Sequence, residues 1–99
     1  MARFQLFDNP DGEGYLLDVQ SDLLGITQSR VVVPLLPAGV LPPALPRLHP
    51  IFEVAGRNYL MATHLIAAVP VEILARPRGD LAAHRDAITA ALDMLFQGF

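Results

Sequence analysis

The sequence has no cysteine, no tryptophan and no lysine among its 99 residues. The absence of cysteine excludes a disulfide framework, a thiolate zinc site and thiol catalysis. With no lysine, all seven cations are Arg; they face seven Asp and three Glu, for a net charge of −3. That balance disfavours a protein whose affinity rests on many phosphate contacts, so no direct nucleic-acid partner is expected. A long uncharged run is also missing. The longest, Val31 to Pro46, has 16 residues, short of the ~20 that span a bilayer. Pro34, Pro37, Pro42, Pro43 and Pro46 interrupt it, and a proline in a helix interior costs about 3 kcal/mol. Asp8, Asn9, Pro10 and Asp11 end the first apolar run too soon for a signal peptide. These absences predict a cytoplasmic protein with no transmembrane helix.

What is present is apolar. The chain is 53% hydrophobic with a mean hydropathy of +0.40, above the roughly 45–50% usual for soluble domains. With the membrane set aside, the excess predicts a face buried against a partner, and hence an oligomer. The length fits one domain over residues 1–99, and surface scaling has a chain of this size bury roughly 65% of its surface.

The order of elements reads as strands followed by one helix. Ala2 to Phe7 reads as a strand, and Asn9-Pro10-Asp11-Gly12-Glu13-Gly14 is a turn cluster. Tyr15 to Leu24 alternates as a second strand, with Tyr15, Leu17 and Val19 on one parity. Gly25 to Ser29 is turn-like. Val31-Val32-Val33 marks a strand buried on both faces, which Pro34 is expected to stop or bulge. Pro37 to Pro50 holds five prolines in 14 residues. With Leu36, Val40, Leu41, Leu45 and Leu48 as anchors, it is expected to form a packed loop with a helical turn near Leu45 to Leu48. Ile51–Val54 and Tyr59–Thr63 form a second hairpin around Ala55-Gly56-Arg57-Asn58. Leu65 to Ala68 reads as a short crossover and Val69 to Leu74 as a further strand. Then the period changes: Leu81, Ile88, Leu92, Leu95 and Phe99 recur at helical spacing behind Asp80 as N-cap, which predicts a helix of 16–17 residues ending near Gly98. This order indicates an antiparallel α+β fold.

Three stretches carry a resemblance. The first is Asp18-Val19-Gln20-Ser21-Asp22-Leu23-Leu24 running on to Arg30-Val31-Val32-Val33-Pro34-Leu35. The second is His49-Pro50-Ile51-Phe52 through Tyr59-Leu60-Met61-Ala62-Thr63 to Ala68-Val69-Pro70-Val71. The third is Asp80-Leu81, His84-Arg85 and Leu95-Phe96-Gln97-Gly98-Phe99. Together they resemble the CcdB-type toxins of toxin–antitoxin systems, with the Asp-Val-Gln-Ser-Asp block the most specific part. The resemblance implies a small antiparallel sheet or SH3-like barrel of the CcdB/MazF kind with a long C-terminal helix, paired as a homodimer. It also implies a protein that is not an enzyme, binds the DNA gyrase A subunit, traps the cleaved-DNA state and is neutralised by a cognate CcdA-type antitoxin. No cofactor or metal is called for.

The resemblance assigns Gln97, Gly98, Phe99, Leu23 and Leu24 to gyrase contact, and Ser21, Asp93 and Phe96 to the dimer cleft and antitoxin. Two adjacent leucines in a strand point to opposite faces, so at least one of Leu23 and Leu24 is expected to be open to a partner. The tail departs from the family, which ends Phe-Trp-Gly-Ile with the Trp as the principal gyrase anchor. Phe96-Gln97-Gly98-Phe99 stands here instead. Losing such an anchor costs at least ~2 kcal/mol, about thirtyfold in affinity, and Phe99 offsets part of it with a larger terminal side chain.

Two other functions fit the same outline. One is a fold-retaining, non-toxic homologue that binds only antitoxin. The other is an endoribonuclease of the MazF/Kid type, for which Arg30, Asp22, Thr63 and His64 could supply cation, acid and base; an RNA groove should be basic, and this chain is not. The three histidines, at 49, 64 and 84, show no metal-like spacing. His84 and Arg85 read as surface or capping groups.

Overall fold

Adjacent apolar residues, turned to opposite faces, bring Gln5–Asp8 (β1) and Tyr15–Asp18 (β2) together as an antiparallel hairpin, with Leu6 opposite Leu17 and Phe7 opposite Leu16. The computed structural model describes residues 2–24, 28–42 and 45–99. The hairpin closes through Gly14, at φ +102, where a Cβ would lie 2.0 Å from the Leu35 carbonyl oxygen; no side chain fits there. The remaining strands are Ser29–Pro37 (β3), Ile51–Val54 (β4), Arg57–Met61 (β5), Ala67–Pro70 (β6) and Pro77–Asp80 (β7). They form one curled sheet in the order β4-β5-β3-β2-β1-β7, with β6 also paired to β3 and every pairing antiparallel.

The three valines lie in β3, which runs through Pro34 without stopping. The interruption falls on its partners instead. One edge of β3 pairs with β2 from Val32 to Leu35, while the other pairs with β6 as far as Val32 and with β5 from Leu35. Pro34 sits at that changeover. Its carbonyl accepts from Ala62 N–H at 2.9 Å, so its missing N–H faces the gap between β6 and β5, where no ladder bond is lost.

Apolar side chains cover both faces of the sheet. On one face Leu6, Leu17, Val19, Val33, Leu35, Phe52, Tyr59 and Met61 pack with Leu81 and with Ile88 and Ala91 of the C-terminal helix. On the other, Phe7, Leu16, Val32 and Leu74 form a smaller cluster. The helix (α1) spans Arg85–Gln97, 13 residues or about 20 Å, and a 3₁₀ turn at Ala82–His84 precedes it. It is shorter than the sequence suggested, and Asp80 does not cap it: the N-cap is His84, with no side-chain cap bond, while Asp80 Oδ1 accepts Ala82 N–H at 2.9 Å ahead of the 3₁₀ turn, whose own N-cap is Leu81. No helix among the described residues is long and apolar enough to cross a membrane.

Other boundaries also differ from the sequence reading. β1 starts at Gln5, after Phe4 in the left-handed region (φ 72). β2 stops at Asp18, and a 3₁₀ turn at Asp22–Leu24 replaces the rest of the expected strand. There the Asp and Ser side chains take backbone N–H groups that a ladder would use: Asp18 Oδ1 accepts from Gln20 and Ser21 Oγ from Leu23. The expected strand at Val69–Leu74 divides into β6 and a 3₁₀ turn at Val71–Ile73. The second hairpin has a two-residue loop, Ala55-Gly56, with both φ positive. β7, which has no counterpart among the strands expected from the sequence, is an exposed edge strand fastened to β1 and, through Arg78, to Asp8.

The proline-rich segment is held at several points. Ala38 N–H donates to Asn58, and the N–H groups of Leu48 and His49 both donate to Leu45, forming the expected helical turn. Leu36, Leu41 and Leu48 are half-buried, whereas Val40 and Leu45 are exposed. Gly25–Thr27 of the expected turn, and Pro43 with Ala44, lie outside the described residues.

Candidate functional site

The residues singled out from the sequence fall on two elements. Ser21, Leu23 and Leu24 meet in the 3₁₀ turn after β2. Ser21 accepts Leu23 N–H through Oγ and Leu24 N–H through its carbonyl, both at 3.2 Å. Because this is a turn and not a strand, both leucines reach solvent: Leu23 is 97% exposed and Leu24 63%. Asp93, Phe96, Gln97, Gly98 and Phe99 lie on the last turns of α1 and its C-terminus. Gly98 adopts the left-handed conformation, φ 81, and donates its N–H to Met94 O at 3.0 Å, as a helix-ending glycine does. Phe96 and Phe99 are 71% and 70% exposed. Leu92 and Leu95 are half-buried, Leu92 against the core of the helix-facing side of the sheet.

A polar cluster that no local pattern announced lies beneath the Leu23–Leu24 turn. Arg30 on β3 makes a two-pronged bond to Asp18 on β2, Nε to Oδ2 and Nη2 to Oδ1, each at 2.8 Å. The two side chains are 5% and 0% exposed. Arg30 Nη2 also donates to Gln20 O at 3.3 Å and lies 3.6 Å from Asp22 Oδ1. The Asp18 bond holds the Arg30 guanidinium above its ordinary range, against the opposing effect of burial. Most of the Asp-Val-Gln-Ser-Asp block is therefore interior wiring.

That wiring bears on hydrolysis. Arg30 is the cation an endoribonuclease built from Arg30, Asp22, Thr63 and His64 would offer to a phosphate, and here its Nε and Nη2 bond a buried carboxylate. The Thr63 hydroxyl donates to Leu48 O. His64 Nδ1 meets His49 Nε2 at 2.8 Å, their rings edge to face. That pairing, across 15 residues of sequence, had no signal in the spacing. His49 is buried and its Nδ1 has no partner among the described residues; burial, then the neighbouring His64, pushes its pKa below the usual histidine value. His84 packs on the Phe52 ring, and Arg85 Nε donates to Ala82 O, so both act at the helix start as surface groups. An apolar groove of about 240 Å³ on the sheet face away from α1 is lined by Leu16, Val32, Pro34, Leu36, Leu65 and Val69 among others, with Asp11 the one titratable residue among the described residues that line it.

Comparison with known proteins adds two findings. The family model described as CcdB protein matches residues 3–98. Among solved structures, the Mycobacterium tuberculosis toxin MazF-mt6 superimposes with a TM-score of 0.76 at 16% identity, covering 95% of this chain and 96% of that one. An endoribonuclease in complex with its cognate antitoxin, from a mycobacterial species, gives 0.76 at 18% identity over 96% and 93%. At those identities the likeness is one of fold.

Proposed function

The chain belongs to the CcdB family, a family of toxin–antitoxin toxins, and on that premise we propose that it is a non-enzymatic toxin that binds the DNA gyrase A subunit. In this reading it forms a homodimer, traps the gyrase–DNA cleavage complex and is neutralised by a cognate antitoxin. The observation that carries the reading is the exposure of four large apolar side chains, Leu23, Leu24, Phe96 and Phe99, on the two elements that the family uses for contact. Burying a large apolar side chain in a partner is worth about 1.5–3 kcal/mol, and aromatic anchors dominate such contacts. Ser21, Asp93 and Gln97 lie among these residues and supply polar contacts at their rim. The bonds from Arg30 Nε and Nη2 to the buried Asp18 carboxylate support the same reading, because those donors are already engaged.

Gln97 favours a second reading, a homologue that retains antitoxin binding and has lost gyrase. The polar side chain occupies the position of the family's Trp and has no ring with which to stack. Three proteins separate the two: the unaltered chain, Gln97→Trp, and a chain lacking Gln97, Gly98 and Phe99. Each is titrated against gyrase in a supercoiling assay, with an RNA-cleavage assay beside it. The gyrase reading expects inhibition by the unaltered protein, stronger inhibition by Gln97→Trp and none by the truncated chain, which still folds. Inhibition that survives truncation overturns the role of the tail. Inert protein and inert Gln97→Trp that both bind antitoxin establish the second reading.

A further inference from the structure

Leu23 and Leu24 hang from five consecutive residues, 18 to 22, each of which is bonded to the chain around it. Phe4 N–H donates to Asp18 O at 2.6 Å. Arg3 Nε donates to Val19 O at 3.2 Å, and Gln20 Oε1 accepts Val31 N–H at 3.0 Å. Ser21 closes the turn, and Asp22 Oδ1 accepts Arg3 N–H at 3.0 Å. The Asp18–Arg30 pair sits at the centre, reaching Gln20 O on one side and Asp22 on the other. Phe4 takes its left-handed φ of 72 to make its bond, a strained conformation for an aromatic residue.

Stability alone does not call for this arrangement. A buried ion pair is commonly no more stabilising than well-packed apolar residues of similar volume, and apolar residues fill this sheet face next door at Phe7, Leu16 and Val32. Directional bonds supply what apolar packing does not, a fixed chain path. They fix it immediately before a turn whose leucines gain nothing from the protein's own core. Ordering such a turn in advance removes an entropic cost from binding, about 0.5–1.5 kcal/mol for each side chain immobilised.

We propose that the Arg30–Asp18 pair, with Asp22 as its outer link, is the positioning device that holds the Leu23–Leu24 turn in the pose a protein partner reads. The proposal rests on the reading of that turn as a contact surface. Arg30 and Asp18 are buried and, with Asp22, act through the two leucines.

The test uses Asp22→Ala, Asp22→Asn and the paired Asp18→Leu/Arg30→Leu. The readouts are hydrogen exchange at the Leu23 and Leu24 amides, thermal melts and calorimetric affinity for purified gyrase A subunit. Asp22 is exposed, so Asp22→Ala folds even if the paired variant does not. Asp22→Ala is expected to speed exchange at Leu23 and Leu24 about tenfold, the effect of losing about 1.4 kcal/mol, with the melt unchanged and gyrase A affinity several-fold weaker. Asp22→Asn still offers an oxygen to Arg3 N–H and restores most of the protection. Unchanged exchange in Asp22→Ala overturns the proposal, as does faster exchange with undiminished gyrase A affinity. Faster exchange in a protein whose unaltered form does not bind gyrase A removes the gyrase reading and leaves the positioning role supported.

Discussion

Replacing Leu23 by Ser separates contact from stability. Leu23 is 97% exposed, so its truncation removes almost no buried area from the free protein, and stability should change by no more than about 0.5 kcal/mol. In a complex that covers it, the same side chain is worth about 1.5–3 kcal/mol, a loss of roughly ten- to 150-fold in affinity. Leu24 is 63% exposed and has less area left to bury, so Leu24→Ser should weaken binding by a smaller factor. The assay is calorimetric titration of each variant into gyrase A subunit, with melts and light scattering on the same samples. Leu23→Ser that binds as tightly as the unaltered protein refutes the contact role. Leu23→Ser that melts early or falls apart to monomers places the leucine in the protein's own packing or self-association.

Other expectations follow from particular residues. Light scattering at micromolar concentration should give twice the 10.8 kDa chain mass; a clean monomer would remove the dimer cleft from the account. Ala55 holds φ 52 in the β4–β5 turn, where Asn or Gly is easier, so Ala55→Asn should stabilise by up to about 1 kcal/mol in thermal melts. Burial pushes the His49 pKa below the ordinary histidine value of 6.5, so below pH 6.5 the unfolded chain takes up a proton that the folded one refuses. Stability should therefore fall as pH drops from 6.5 towards the folded pKa, and His49→Phe should flatten that part of the melting profile.

The helix and the central strands were legible because their signals are local. Leu81 and Ile88 mark the buried side of the C-terminal segment, the three valines mark β3, and Asn9-Pro10-Asp11-Gly12 marks the first hairpin turn. β7 was not legible: Pro77, Arg78, Gly79 and Asp80 carry no strand propensity, and the strand exists because β1 offers it an edge and Asp8 an ion pair. The outer part of β2 was misread for a related reason. Leu17 and Val19 alternate as strand residues do, but Asp18 answers to Arg30, twelve positions away, and no period in the sequence records a long-range ion pair. The candidate contact residues could be named from resemblance. That Leu23 and Leu24 both face solvent followed only from the turn that replaced the strand.

The most direct test of the central claim is gyrase-mediated DNA cleavage. Purified chain is incubated with gyrase holoenzyme, supercoiled plasmid and ATP, then denatured and digested with protease to release any DNA held in the cleaved state. A gyrase poison yields linear plasmid in proportion to added protein, and cognate antitoxin abolishes it. Plasmid that stays circular at saturating protein, in a sample that cleaves RNA or binds antitoxin, contradicts the claim.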